Sequence, residues 1–344
     1  MTTKTAPGTV LPRRPAPKAL VGRRAWDVRP LYEPAIFAVV LSIGYFVLPS
    51  SWQYTLTIGV IYSLLATSLG ILFGWTGTYT FGHAAFFGMG AYATALLRTE
   101  SWNALLFLGL SAVVAAIAAV VIGLLGGRLV KVEFAMLTMI VGQIAYLLTF
   151  KIGPLGGDNG LVGITRGSVF GFDVTSNNSF WIYTIVVIAV VMGILRRINL
   201  SSFGASLNAI RDDPVKAASI GLPVKGLRLA AFTLSGAVAG LAGALFAQQG
   251  GIVTPDTLSF TFSGQIIIMA LLGGMYRFWG PAIGALIFQL LSTAVFGNSS
   301  NGTLYLGVIL LVVVLVFPKG VLGLLERLSN RFPVLGRLRR GRKA

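Results

Sequence analysis

Ten apolar runs fill most of this chain, and no run carries a carboxylate, lysine or arginine near its centre. They cover approximately residues 34–49, 53–73, 79–97, 104–126, 133–151, 180–196, 228–249, 262–276, 280–297 and 303–318. A helix needs about 20 apolar residues to cross a bilayer, and fewer where other helices bury it. Runs of this kind therefore require a lipid solvent. Composition agrees, with 55% hydrophobic and 11% charged residues, against about 25% charged in a soluble domain. The expected fold is all-α: a polytopic transmembrane helical bundle of about ten spans, and not fewer than about eight. The third and eighth runs are rich in glycine. One of them is a candidate for a re-entrant or broken helix, which is tolerated only where protein shields the backbone.

The basic residues test this count. The net charge is +17, and 21 of the 27 basic residues fall in three clusters, Lys4–Arg29, Arg196–Arg228 and Lys319–Lys343. All three lie between or beyond apolar runs, the positive-inside signature of a membrane protein. No nucleic-acid recognition motif accompanies the charge. Ten crossings that start inside return the C-terminus inside and place Arg128, Lys131, Arg277 and the 197–227 loop there too. The outside loops then hold only Arg98 and Arg166, with Lys151 at a boundary. Both termini are thus expected in the cytoplasm of a multi-pass inner-membrane protein. Residues 1–32 read as a disordered basic tail that meets membrane lipids, 33–318 as the transmembrane domain, and 319–344 as a second basic tail. No apolar run directly follows the first charges, as a cleavable signal peptide would require. Five spans in each half would make any internal repeat an inverted one.

Several chemistries are missing. Cysteine is absent, and one histidine with ten carboxylates makes a multi-ligand metal site improbable. No phosphate-binding GxxxxGK[ST] loop is present, so ATP hydrolysis by that route is excluded. Proton-driven transporters bury ionisable relays, and none is visible here. Sodium coupling through backbone carbonyls stays open. A membrane enzyme lacks its acid–base constellation. What remains is a pathway for a neutral or zwitterionic solute, powered from elsewhere.

Three segments carry more information. Gly74–Tyr92 (GWTGTYTFGHAAFFGMGAY) has glycines that let the chain bend at membrane depth. Its Thr76, Thr80, Phe81, Gly82, His83, Phe86 and Gly88 are candidates to line a solute pathway, although a packed, hydrogen-bonded His83 is the plainer reading. Gly157, Asp158, Asn159 and Gly160 sit in the longest outside loop, where a simple turn competes with contact to a partner. In the 197–227 loop, Ser201 or Ser202 can cap a helix through Leu207, Ile210 and Arg211. Pro214 can start a second short helix after Asp212 and Asp213. A pair of short amphipathic helices makes a knob for another protein. The Gly236–Gly240 GxxxG in the seventh run signals close helix packing.

The glycine-rich segment closely resembles the signature of permeases in branched-chain amino-acid ABC importers, the LivM-type subunits in particular. The resemblance runs along nearly the whole chain after residue 35. It includes Phe134–Thr138 (FAMLT), Gly156–Leu161 (GGDNGL) and Leu207–Pro214 (LNAIRDDP). It continues through Ala239–Ala244 (AGLAGA) and Leu272–Gly274 with Gly280–Ala285 (GPAIGA). Met275–Trp279 departs from it by being bulkier, and the basic N-terminal tail extends beyond the usual start.

The resemblance implies a heteromer: a second homologous permease subunit, two ABC ATPase subunits and a periplasmic or lipid-anchored solute-binding protein. Leu207, Ile210, Arg211, Asp212, Asp213 and Pro214 would couple to an ATPase, and Gly157–Gly160 would face the binding protein. ATP and magnesium would sit in the ATPases, with no cofactor on this chain. Branched-chain amino acids are the family's usual solutes, with urea, short amides and organic acids as alternatives. A stand-alone channel or secondary transporter is the different-class alternative.

Overall fold

The computed structural model describes residues 29–97, 103–127, 129, 132–169 and 171–296, with isolated positions beyond. Apart from Gly307, the tenth apolar run lies outside the described residues, as do nearly all of both basic tails. Eleven α-helices occur among the described residues: α1 (Arg29–Val47), α2 (Ser50–Gly70), α3 (His83–Leu96), α4 (Ala104–Leu125), α5 (Val132–Lys151), α6 (Asn177–Leu200), α7 (Ser202–Asp212), α8 (Pro214–Ser219), α9 (Val224–Gly250), α10 (Phe260–Gly273) and α11 (Gly280–Phe296). Helix α2 continues through a π-helical turn, Ile71–Thr76. Counted with that turn, α2 is long and apolar enough to cross a membrane, as are α4, α5, α6 and α9. Asn103 caps α4 through the Leu105 N–H, and Ser176 caps α6 through that of Ser179. The apolar parts of α1 and α11 are somewhat shorter, and the two glycine-rich runs are the shortest of the apolar helices. Helices α3 and α10 hold 14 residues each, about 21 Å of helix, well short of the roughly 30 Å hydrocarbon core.

Helix α2 is the hub. Its central window is 94% buried, against 33% for α4 and 28% for α5, whose apolar faces are exposed to the surroundings. Helix α9 wedges between α3 and α4. A Cβ on Gly90 would collide with the Gly240 backbone, and one on Gly243 with the Phe87 carbonyl. The GxxxG residues Gly236 and Gly240 meet Ala119, Ala115 and Ser111 of α4 in the same way. Here the small residues permit close helix approach, which is what drives association where lipid is as apolar as the side chains. Helix α1 lies outside the hub, antiparallel to α6. Tyr45 stacks on Trp181 with centroids 4.3 Å apart, and at the other end Arg196 Nε stands 2.9 Å from Glu33 Oε2.

The bundle contains an internal repeat. Helix α2 with its π-turn and helix α9 have 27 residues each, and each stops at a left-handed glycine, Gly77 (φ 66°) and Gly251 (φ 67°). A short helix follows in both cases, then a longer one. Helix α4 packs antiparallel along α9, and α11 packs antiparallel along α2, with Gly70 against Pro281 and Gly59 against Leu286. The two units run in opposite directions.

The bulky Met275–Trp279 segment has a local explanation. The Trp279 indole N–H donates to Glu33 Oε2 at 2.7 Å, and the Arg196 guanidinium lies 5.1 Å from the Phe278 ring centroid. Together they pin the α10–α11 connection to α1 and α6.

Gly90→Val should lower the thermal stability of the purified protein by about 1–3 kcal/mol or more, because it overpacks a backbone contact. Gly109→Ala, where a Cβ meets open space, should be neutral or stabilising by about 0.5–1 kcal/mol. Thermal unfolding of both variants in detergent checks the contrast.

Candidate functional site

Helices α3 and α10 both begin inside the bundle. The segment Gly77–Gly82 turns back inward after α2, so that Gly82 packs on the Thr138 carbonyl of α5. From the opposite end, the 3₁₀ turn Pro255–Leu258 penetrates until Leu258 covers Gly88 in the middle of α3. Broken helices leave backbone donors unpaired, and side chains supply the missing partners. The Ala84 N–H donates to Ser263 Oγ at 3.1 Å, and the Phe81 N–H to Thr138 Oγ1 at 3.3 Å. Ser259 caps α10 through the Phe262 N–H. Around this junction Phe81 and Phe260 face outward with ring centroids 6.2 Å apart. Tyr79, Thr261 and Gln265 are exposed as well.

His83 opens α3 and is fully buried. Its Nε2 lies 2.7 Å from Ser68 Oγ. The Ser68 hydroxyl proton goes to the Leu65 carbonyl at 2.6 Å, which leaves the Ser68 oxygen to accept from Nε2–H. Ser235 of α9 donates to the Ser68 carbonyl at 2.6 Å. A polar thread thus ties α2, α3 and α9 together at the base of the broken helix.

Helices α7 and α8 lie across the end of the bundle where α2 finishes. Leu207 and Ile210 are buried against it. Ser201 occupies the position before α7, but its hydroxyl turns back to the Ile198 carbonyl and does not cap the helix. Asp213 caps α8 through the Val215 and Lys216 N–H groups, with Pro214 as the first helical residue. The Lys216 ammonium, 2.9 Å from Asp213, together with these N–H groups holds its carboxyl below the usual carboxylate range. Arg211 turns inward. Its Nη1 donates to the Gly74 carbonyl at 2.6 Å, while Nε and Nη2 both donate to Asp212 Oδ1. Its stem also packs on Gly77. One side chain therefore connects the surface helices to the π-turn of α2 and to the start of the glycine-rich segment. Helix α8 is exposed apart from Ala217, with Val215 near its start at 77% and Ile220 just past its end at 74%.

The remaining candidates fall as follows. Thr76 and Thr80 are buried, Thr76 donating to the Leu72 carbonyl. Phe86 packs edge-on against Phe232. Of the seven pathway candidates only Phe81 is exposed, at 41%. Gly157, Asp158 and Asn159 form a single 3₁₀ turn. Gly160, at φ 68°, abuts Val253, where the two-residue strands Leu161–Val162 and Ile252–Val253 pair. Arg166 fastens the same loop, donating to the Thr175 carbonyl and to Asn177 Oδ1, both at 2.9 Å.

Sequence reasoning missed Ser259, Phe260, Thr261 and Ser263 on the second broken helix. A signal was present: Thr78-Tyr79-Thr80-Phe81 ahead of α3 is echoed by Ser259-Phe260-Thr261-Phe262 at the start of α10.

Residues 51–317 match the family model described as the permease component of branched-chain amino-acid transport systems. The chain belongs to that family. Among curated relatives, the high-affinity branched-chain amino-acid permease protein LivM of Escherichia coli K12 is 27% identical over 77% of this chain and 68% of its own length. The probable permease protein LivH of Methanocaldococcus jannaschii is 26% identical over 77% and 90%, and BraD of Pseudomonas aeruginosa 26% over 78% and 93%. No solved structure matches the chain. Membership makes this a polytopic transport subunit of the membrane, not an enzyme.

Ser68→Ala strands the buried His83 donor of this permease and should cost about 1–3 kcal/mol of stability. Combining it with His83→Leu removes both partners and should recover part of the loss. Unfolding curves for the single and double variants test this, and a double variant weaker than the sum of both changes would contradict it.

Proposed function

We propose that the chain forms half of the membrane pathway of an ATP-driven importer for branched-chain amino acids. A second homologous permease completes the pathway, two ATPase subunits drive it, and an external binding protein delivers the solute. The observation that carries this reading is the Arg211 link from α7 to the π-turn of α2. An ATPase that grips α7 and α8 would pull on the turn that leads into the broken helix. The exposed apolar residues Val215 and Ile220, at the two ends of α8, are suited to a cleft in such a partner.

The end with α7 and α8 is assigned to the cytoplasm. Arg196, Arg197, Lys216, Lys225, Arg228 and Arg277 gather there, against Lys151 and Arg166 at the other end, which supports that orientation. The loop Gly157–Gly160 then faces outward, towards the binding protein.

The exposed strip at the two helix starts is assigned to the pathway. Phe81 and Phe260 offer apolar rings to a branched side chain, and Thr261 and Gln265 offer a hydroxyl and an amide to the charged ends of an amino acid. The helix starts themselves are already satisfied by Ser259 and Ser263, so these exposed side chains contact the solute.

Val215→Asp combined with Ile220→Asp should leave the permease inserted but abolish copurification of the ATPase. Leucine uptake by the reconstituted complex should be lost with it. Wild-type uptake in that variant would refute the coupling role. Uptake of urea or a dicarboxylate, with none of leucine, isoleucine or valine, would replace the solute.

Orientation is checked with single cysteines in this cysteine-free chain. An impermeant thiol reagent applied to intact cells should label Thr165→Cys and spare Ser219→Cys. The reverse pattern would invert the topology.

A further inference from the structure

A cavity of about 200 Å³ lies beneath α7 and α8, between the end of α4 and the first turns of α9. It is far larger than a single buried water needs. Its inner wall is apolar, formed by Phe134, Leu229 and Phe232. Three cations line it, Arg211, Lys225 and Arg228, with one carboxylate, Asp212. Arg211 and Asp212 neutralise each other, with Nη2 and Oδ1 2.9 Å apart. Lys225 and Arg228 make no hydrogen bond or ion pair among the described residues, and the Arg228 Nε is buried without a partner. They lie three apart on one face of α9, so both can reach the same ligand. Burying part of a guanidinium is costly unless an anion or acceptor meets it.

We propose that this cavity binds the phosphate of an anionic phospholipid, held by Arg228 and Lys225. A guanidinium fork fits phosphate oxygens in pairs, and the ammonium adds a point charge. Placement favours a lipid as the carrier. The cavity sits at the end of membrane-crossing helices, where headgroups lie. Beside it the last turn of α4 exposes Leu124 and Leu125, so acyl chains can run down α4 while the headgroup enters beneath α7. Basic pockets between helices at a membrane surface bind such headgroups. Because the same cavity holds Arg211, an occupied site would brace the link between α7 and α2. The binding itself does not depend on which solute is carried.

The full-length chain, purified in detergent and exchanged into nanodiscs of phosphatidylcholine with or without phosphatidylglycerol, tests this. Native mass spectrometry should show phosphatidylglycerol retained in preference to phosphatidylcholine. Arg228→Gln or Lys225→Gln should cut that retention about tenfold, the loss expected for one charge-assisted contact. Arg228→Lys should keep most of it. Lys216→Gln, on the exposed face of α8, should leave it unchanged. Thermal stability in phosphatidylcholine alone reports whether each variant folds, and the exposed Lys225 provides a readout even if Arg228→Gln fails. Unaltered retention in Lys225→Gln overturns the proposal. So does stabilisation by inorganic phosphate equal to that by phosphatidylglycerol, which would make the ligand a free anion. A variant that keeps its lipid but loses the ATPase subunit would assign these cations to a partner protein and equally refute it.

Discussion

In hydrocarbon, every backbone N–H and C=O must find its partner inside the protein, and this constraint explains where the chain spends its polar side chains. Long helices satisfy it by themselves. Helices α3 and α10 cannot, because both start inside the bundle. Serines and threonines repair them: Ser263 at the start of α3 and Thr138 for the segment before it, both distant in the chain, and the local cap Ser259 for α10. Helix α10 is capped by the residue before it, whereas the start of α3 and the segment before it depend on α10 and α5, which ties the three helices into one junction. A pathway built at such a place gains exposed polar groups without leaving orphaned backbone.

Close packing of backbones is the second requirement. Lipid offers no hydrophobic gain for bringing two helices together, so small residues and contact area carry the association. Gly90 and Gly243 let α9 sink between α3 and α4, and the polar thread through Ser68, His83 and Ser235 then fixes its depth. At the rim, where water returns, attachment changes character. There Glu33, Arg196 and Trp279 hold α1 and the α10–α11 connection by charge and hydrogen bonds.

Much of this was legible in the amino-acid sequence, and the reasons are physical. Uninterrupted apolar runs determine the class of fold, and α4, α6 and α9 stand within a few residues of their expected places. Pro214 marks the start of α8 because its fixed φ suits a first helical turn. Other features were hidden. The inward course of the two flanking segments does not show in the sequence, since Tyr79–Gly82 reads as the start of the third apolar run and Pro255–Leu258 as part of an ordinary external loop. Arg211 was expected to face a partner because it is charged. It turns inward because the end of α2 leaves the Gly74 carbonyl without a helical donor, and no local pattern in the sequence reveals that. The eighth run reads as a candidate for a broken helix, and the residues that open it could have been found from their echo of Thr78–Phe81.

The π-turn at Ile71–Thr76 holds one more residue per turn than α-helix does. That spare residue is slack. If the turn tightened to α-helix, the chain after it would swivel by about 100° and shift by about 1.5 Å along the axis, with no net loss of helix. Arg211 grips a carbonyl within this turn. A displacement of α7 thus reaches the stretch of α2 whose hydrogen-bond register can slip, and the slip would be delivered as rotation to Tyr79 and Phe81 a few residues on.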